Sequence, residues 1–183
     1  MIGGVKVSER RRVVELLPYD LEWKEEFAKI KTMIDSYIGD LILRIEHIGS
    51  TAVEGLAAKP VIDIDVVIES YDIFPKIIEC LEQEGYEHEG NLGVEGREVF
   101  KRRCDDGLMN YHLYVCPKDG KGYLEHIAFR DYLRENTKAR EEYEVLKYKL
   151  AEAYRDDRDS YCNKKSEFVE SILERTIYHQ EKE

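Results

Sequence analysis

The chain has 183 residues, 43% hydrophobic and 37% charged, enough for one domain with a full core and cramped for two. A net charge of −11 argues against a partner held through a nucleic-acid backbone. Four scattered cysteines (Cys80, Cys104, Cys116, Cys162), no signal-like start and no long apolar span predict a cytoplasmic protein with reduced thiols and no membrane segment.

Residues 1–15 carry Arg10, Arg11 and Arg12 in a polar, flexible start, and Val13 to Leu17 suits an edge strand. Asp20 is a candidate N-cap for a helix over 20–38, because Trp23, Phe27, Ile30, Ile34 and Tyr37 step by four and three along one face before Gly39. The chain then reads as a strand from Leu41 to Ile48, a tight Gly49-Ser50-Thr51 turn, and a second strand from Pro60 to Ile68. Along that second strand Ile62, Ile64, Val66 and Ile68 fall on one face, and Asp63 and Asp65 on the other. Two carboxylates roughly 7 Å apart among apolar neighbours repel each other and lose hydration. A divalent metal is the counter-charge that also does chemistry, while a structural alternative pairs them with Lys59, Arg97 or Lys101. Gly49 permits close backbone approach and Ser50 adds a hydroxyl, so the turn reads either as an anion cradle or as an ordinary bend.

A helix follows over 71–85, with Ile73, Phe74, Ile77, Ile78 and Leu81 inward and Gly85 as its terminator. Residues 86–96 read as a Gly- and charge-rich loop; Gly90, Gly93 and Gly96 lack the strand–helix setting of a dinucleotide fingerprint. A strand from Arg97 to Arg103 would put Arg97, Lys101 and Arg103 on one face, as a basic patch or as a charge-guarded edge. A third strand, Met109 to Cys116, places His112 on a face with Asn110, Tyr114 and Cys116; His112 is either a metal ligand or general base beside the acid pair, or a hydrogen-bonded structural residue. Beyond Gly122 the chain is helical: one helix over 124–132, a longer one capped near Asn136 or Thr137 with Tyr143, Leu146, Leu150 and Tyr154 on a face, and a last one with Tyr161, Phe168, Ile172 and Leu173 inward.

A Gly-Ser turn about a dozen residues ahead of an Asp-x-Asp strand resembles the polymerase-beta-like core of the nucleotidyltransferase superfamily. The narrower wording is that of the GrpB family: His47-Ile48-Gly49-Ser50-Thr51-Ala52-Val53, then Gly55 to Pro60, then Ile62-Asp63-Ile64. Arg97 with Phe100 and Lys101, His112, Ala128 to Arg134, Tyr143, Leu146-Lys147, Leu150-Ala151, and Tyr161 with Lys165 extend the similarity over roughly residues 12–175. The resemblance implies an α+β fold, a nucleotidyltransferase-like mixed sheet with helices on one face and a C-terminal helical segment. It implies one domain over 1–183, with its core about 12–118 and its helical segment about 122–178. It further implies Mg²⁺ on Asp63 and Asp65, with His112 as a third catalytic residue where the superfamily usually has a carboxylate. Gly49, Ser50, Thr51, Lys59, Arg97, Lys101 and Arg130 would bind the phosphates of an NTP, with Arg134, Lys147 and Lys165 near the pocket. Glu54 departs from the proline usual in the family and adds a negative charge beside the turn. Fusion of some relatives to dephospho-coenzyme A kinase implies a CoA-like ligand as an alternative to an NTP. Three functions stay open: transfer of a nucleotidyl group from an NTP to a small acceptor, a non-catalytic nucleotide- or metabolite-binding module, or a scaffold in which the Asp pair is structural. Oligomeric state has no signature in the sequence.

Overall fold

The computed structural model of the chain describes residues 14–103 and 107–178. Five strands form one mixed sheet: β1 (Arg44–Ile48), β2 (Ile62–Ile68), β3 (Tyr86–Gly90), β4 (Glu98–Arg102) and β5 (Tyr111–Pro117). Their spatial order is β1-β2-β5-β4-β3, and only the β2–β5 pairing is parallel. β2 is buried on both faces because helices cover both, which is why it reads as a nearly continuous apolar run.

On one face, Ile62, Ile64, Val66 and Ile68 join Leu113, Val115 and Phe100 under α1 (Glu22–Ile38) and α2 (Phe74–Gln83). Each of the fully buried isoleucines contributes roughly 1.5–3 kcal/mol. The predicted stripe of α1 is present: Trp23, Ile30 and Ile34 are buried, Ile38 completes the line, and Phe27 and Tyr37 lean on the same core. Asp20 Oδ1 accepts the Glu22 N–H at 2.9 Å, satisfying one of the donors that a helix start leaves free. Gly85, at φ +84°, follows the end of α2 in the left-handed conformation expected of a terminating glycine.

Three further helices, α3 (Lys121–Glu135), α4 (Thr137–Ala153) and α5 (Arg158–Leu173), close over the other face. Tyr123 and Ile127 of α3 pack on Val67 and Cys116, while Leu133, Ala139, Tyr143 and Ile172 bury Val53 and Leu56 from the loop ahead of β2. Asn136 caps α4 by accepting the Ala139 N–H at 3.0 Å, as its position predicts.

Several boundaries differ from the sequence reading. β1 starts at Arg44, because Gly39–Leu41 forms one more tight turn after α1. The stretch expected to be a loop contains β3, an edge strand whose Tyr86 and His88 turn inward while Glu87 and Glu89 face solvent. Its charge disguised it, and charge is what edge strands carry. α3 begins at Lys121, three residues early and within contact of Gly96. The expected edge strand reduces to an isolated bridge, in which Leu17 exchanges two 2.9 Å backbone hydrogen bonds with Ala58, while residues 14–16 form no strand. Val13, the flexible start with Arg10, Arg11 and Arg12, and Cys104 lie outside the described residues. Cys80, Cys116 and Cys162 are free thiols. No described helix is long and apolar enough to cross a membrane.

Candidate functional site

The parallel register of β2 and β5 sets Asp63 beside His112 and Asp65 beside Tyr114, all on the face under α3 to α5. Asp63 Oδ1 lies 2.7 Å from His112 Nδ1. Asp65 Oδ2 lies 2.8 Å from Nδ1 of His126, a residue of α3 absent from the sequence-based candidates. The signal was present: Tyr123, His126, Ile127 and Arg130 recur at i, i+3, i+4 and i+7, one face of a helix. Asp65 is fully buried, and its Oδ1 has no hydrogen-bond partner among the described residues. Burial raises the Asp65 pKa above the usual carboxylate range, with His126 opposing. The Cys116 thiol beside it is pushed up by burial and then by the Asp65 charge.

The turn after β1 is shaped around Asp63. Gly49 has φ +70° and ψ −170°, a conformation essentially reserved for glycine, and a Cβ there would lie 2.5 Å from Asp63 Oδ2. Ser50 Oγ accepts from Lys147 Nζ at 3.2 Å. Lys147, buried on α4, also donates to the Ala57 carbonyl, while Glu144, one turn earlier on α4, accepts the Ala57 N–H at 2.8 Å. α4 thereby clamps the loop between turn and strand. Burial, with Lys165 nearby, lowers the Lys147 pKa to about 7. Thr51 turns away from this cluster: its hydroxyl meets His47 Nε2 at 2.9 Å, and His47 stacks on Phe27 with ring centroids 4.6 Å apart. Burial holds the His47 pKa down to about 4. Glu54, the departure from the family pattern, reaches out to Lys24 at 2.8 Å on the surface.

The expected cations separate into engaged and open ones. Arg130 is occupied by Glu46 at 2.9 Å, the His47 carbonyl at 3.0 Å and Asp131 at 2.8 Å, so it braces β1 from α3. Arg134 holds the Ala52 carbonyl with Nη2 at 2.8 Å. Lys101 is 3.6 Å from Glu89, and Arg103 pairs with Glu87, both at the outer strands. By contrast, the expected Lys59, Arg97 and Lys165, together with Arg158, which the sequence reading did not single out, have no carboxylate within ion-pairing distance among the described residues. Lys59 and Lys165 flank the Tyr161 ring at 4.4 and 5.7 Å, and Lys59 feels the charges of Arg158, Lys165 and Asp63. Arg97 stacks over Tyr114 at 4.6 Å. These four cations lie on the Asp63–Asp65 side of a chain whose net charge is −11.

Among the described residues no three His, Cys, Asp or Glu side chains form a metal cage of their own. Two hard carboxylates, one with an unsatisfied buried oxygen, fit the divalent ion that usually takes one or two carboxylates and shares its remaining positions with phosphates and water, Mg²⁺.

The family model described as "GrpB protein" matches residues 13–175. The chain belongs to the GrpB family. A glutamate-rich protein GrpB from Alkalihalophilus pseudofirmus is 41% identical over 163 residues, covering 87% of this chain and 94% of that one. The crystal structure of a conserved GrpB protein from Enterococcus faecalis superposes with a TM-score of 0.78 at 32% identity, over 91% of this chain and 99% of the other. Cid1, solved with its short product ApU, shares the fold of this GrpB chain with a TM-score of 0.50 at 14% identity, over 71% of this chain and 40% of its own. The mixed sheet and its helices are therefore a nucleotidyltransferase fold.

Proposed function

We propose that this GrpB protein binds an NTP together with Mg²⁺ on the Asp63–Asp65 face and transfers a nucleotidyl group to a small-molecule acceptor. The observation that carries this reading is the conjunction at one end of β2. Gly49 lies against the Asp63 carboxylate, and beyond it Ser50, Lys59, Arg158 and Lys165 present donors and positive charge with no ion-pair partner among the described residues. Triphosphate on one side and carboxylates on the other is the arrangement phosphoryl chemistry needs, where positioning and charge neutralisation do most of the work. Mg²⁺ held by Asp63 and Asp65 would supply that neutralisation and lower the pKa of an acceptor hydroxyl. Ser50 Oγ and the turn amides orient the phosphates, Lys147 fixes the Ser50 hydroxyl from below, and His126 keeps Asp65 facing the ligand. With Nδ1–H donated to Asp63, His112 has Nε2 left to take the acceptor's proton. The charge balance of the chain favours a small acceptor over a nucleic-acid strand.

One observation favours a second reading, a binding module without turnover: the position beside Asp63 on β5 holds His112 and not a third carboxylate. Thermal melting with Mg²⁺ and each NTP, and with coenzyme A, tests for the ligand. Pyrophosphate release then decides between turnover and binding alone. A protein whose melting responds to none of these ligands overturns both readings and leaves the Asp pair a structural feature.

A further inference from the structure

Arg97 stands apart from the nucleotide cradle and has the surroundings of a binding group. It immediately precedes β4, two strands from β2, whereas Gly49 follows β1 on the opposite flank. Two strand spacings amount to roughly 10 Å. The register also places it further along the sheet: Glu98 pairs with Val115, so Arg97 reaches the level of Cys116 and Val67, past Asp65, while Gly49 sits at the Asp63 end. The turn and Arg97 thus lie diagonally across the acid pair.

The position of Arg97 is fixed by close backbone contacts. A Cβ on Gly122 would meet the Arg97 Cβ at 3.1 Å, and a Cβ on Gly96 would meet Lys121 N at 3.1 Å, so the start of α3 is seated directly on this residue. Its guanidinium is stacked on Tyr114 at 4.6 Å, and among the described residues its buried Nε has no hydrogen-bond partner and no carboxylate lies within ion-pairing distance. Asp65, whose charge it feels, is already held by His126. An arginine ordered by stacking with donors unfilled presents a planar fork suited to an oxyanion.

We propose that Arg97 forms a second anion subsite that holds the phosphate or carboxylate of an acidic small-molecule acceptor; this rests on the nucleotidyl-transfer reading above. His112 and Tyr114 lie on β5 between the two subsites, so an acceptor anchored at Arg97 brings its hydroxyl across β5 toward Asp63. There its oxygen bonds to the α-phosphorus, the bond from that phosphorus to the bridging oxygen breaks, and pyrophosphate leaves with the electron pair. The hydroxyl proton passes to His112 Nε2.

Calorimetric titration of inorganic phosphate into the full chain, alone and saturated with Mg²⁺ and a non-hydrolysable NTP analogue, tests the subsite. Phosphate should bind the nucleotide-saturated protein. Arg97→Gln should weaken phosphate roughly ten- to a hundredfold, the size of one charge-assisted contact, while weakening the nucleotide far less. Arg97→Lys should recover part of the loss, and both variants should melt cooperatively like wild type. Phosphate that competes with the nucleotide, binds Arg97→Gln as well as wild type, or does not bind overturns the subsite. Should no nucleotide bind, an Arg97-dependent phosphate titration upholds the subsite and sinks the nucleotide reading separately.

Discussion

Gly49 and Asp63 occupy each other's space: a Cβ on the glycine would lie 2.5 Å from Oδ2 and 3.1 Å from Cγ of the aspartate. Gly49→Ala must therefore move the turn or the carboxylate, and it also strains a backbone at φ +70°, ψ −170°. The expected cost is about 1–3 kcal/mol in urea denaturation, with loss of any response to Mg²⁺ and nucleotide. An alanine variant as stable and responsive as wild type would show that the turn is an ordinary bend.

Asp63→Asn and Asp65→Asn should abolish the Mg²⁺-dependent part of nucleotide stabilisation, which at about 100 times the dissociation constant amounts to roughly 2.7 kcal/mol. Without ligand, Asp65→Asn should not destabilise the protein at neutral pH. Because burial raises the folded-state pKa of Asp65 above its unfolded value, ionisation disfavours the fold as pH rises through the carboxylate range. The variant's advantage should shrink as pH falls through about 4 and vanish below about 3, where both states hold the proton. His126→Ala should weaken the Mg²⁺ response less than Asp65→Asn, and adding it to Asp65→Asn should have little further effect, as a double-mutant cycle reads directly.

Much of this was legible in sequence because period-two and period-3.6 patterns report burial. The alternation of Asp63 and Asp65 with Ile62, Ile64 and Val66 announced a polar face on a buried strand, and the α1 stripe announced its packing side. What escaped were features set by tertiary pairing. Nothing local distinguishes Arg130, bound to Glu46 and the His47 carbonyl, from open Lys165. Thr51 sits in the turn as expected, but its partner is His47. The spacing puts His126 on one helix face with Tyr123, Ile127 and Arg130, but that this face docks on β2 beside Asp65 is not local information. β3 carries too much charge to read as a strand until β4 pairs with it.

Lys147 should give the protein an alkaline signature. Its folded-state pKa of about 7 lies below the ordinary 10.5, so between those values the unfolded chain holds the extra proton and stability rises with pH. The contribution is at most about 1.4 kcal/mol per pH unit. Urea denaturation at pH 7, 8 and 9 should show a flatter curve for Lys147→Met than for wild type; parallel curves would mean that Lys147 stays charged in place.

His47 should act at the acid end. Burial lowers its pKa to about 4, so from about pH 6.5 downward the unfolded chain gains a proton that the folded one refuses, and stability falls as pH drops through that window. The loss approaches about 3 kcal/mol near pH 4. His47→Gln should remove this component while other acid-sensitive groups remain, which denaturation between pH 4 and 7 resolves.

Neither aspartate finds its histidine nearby in the chain: 49 residues separate Asp63 from His112, and 61 separate Asp65 from His126. Because β2 and β5 run parallel, they meet only after the intervening crossover of α2, β3 and β4 has been laid down. Closing loops of that length is the slow part of building such a sheet. While the chain is being synthesised, β2 is complete long before α3 emerges, so the two acids wait beside each other with no partner from the far half. The full acid face is thereby a property of the finished chain: a product truncated before α3 would keep the Gly49–Asp63 contact and lose His126 of α3, Lys147 of α4 and Lys165 of α5.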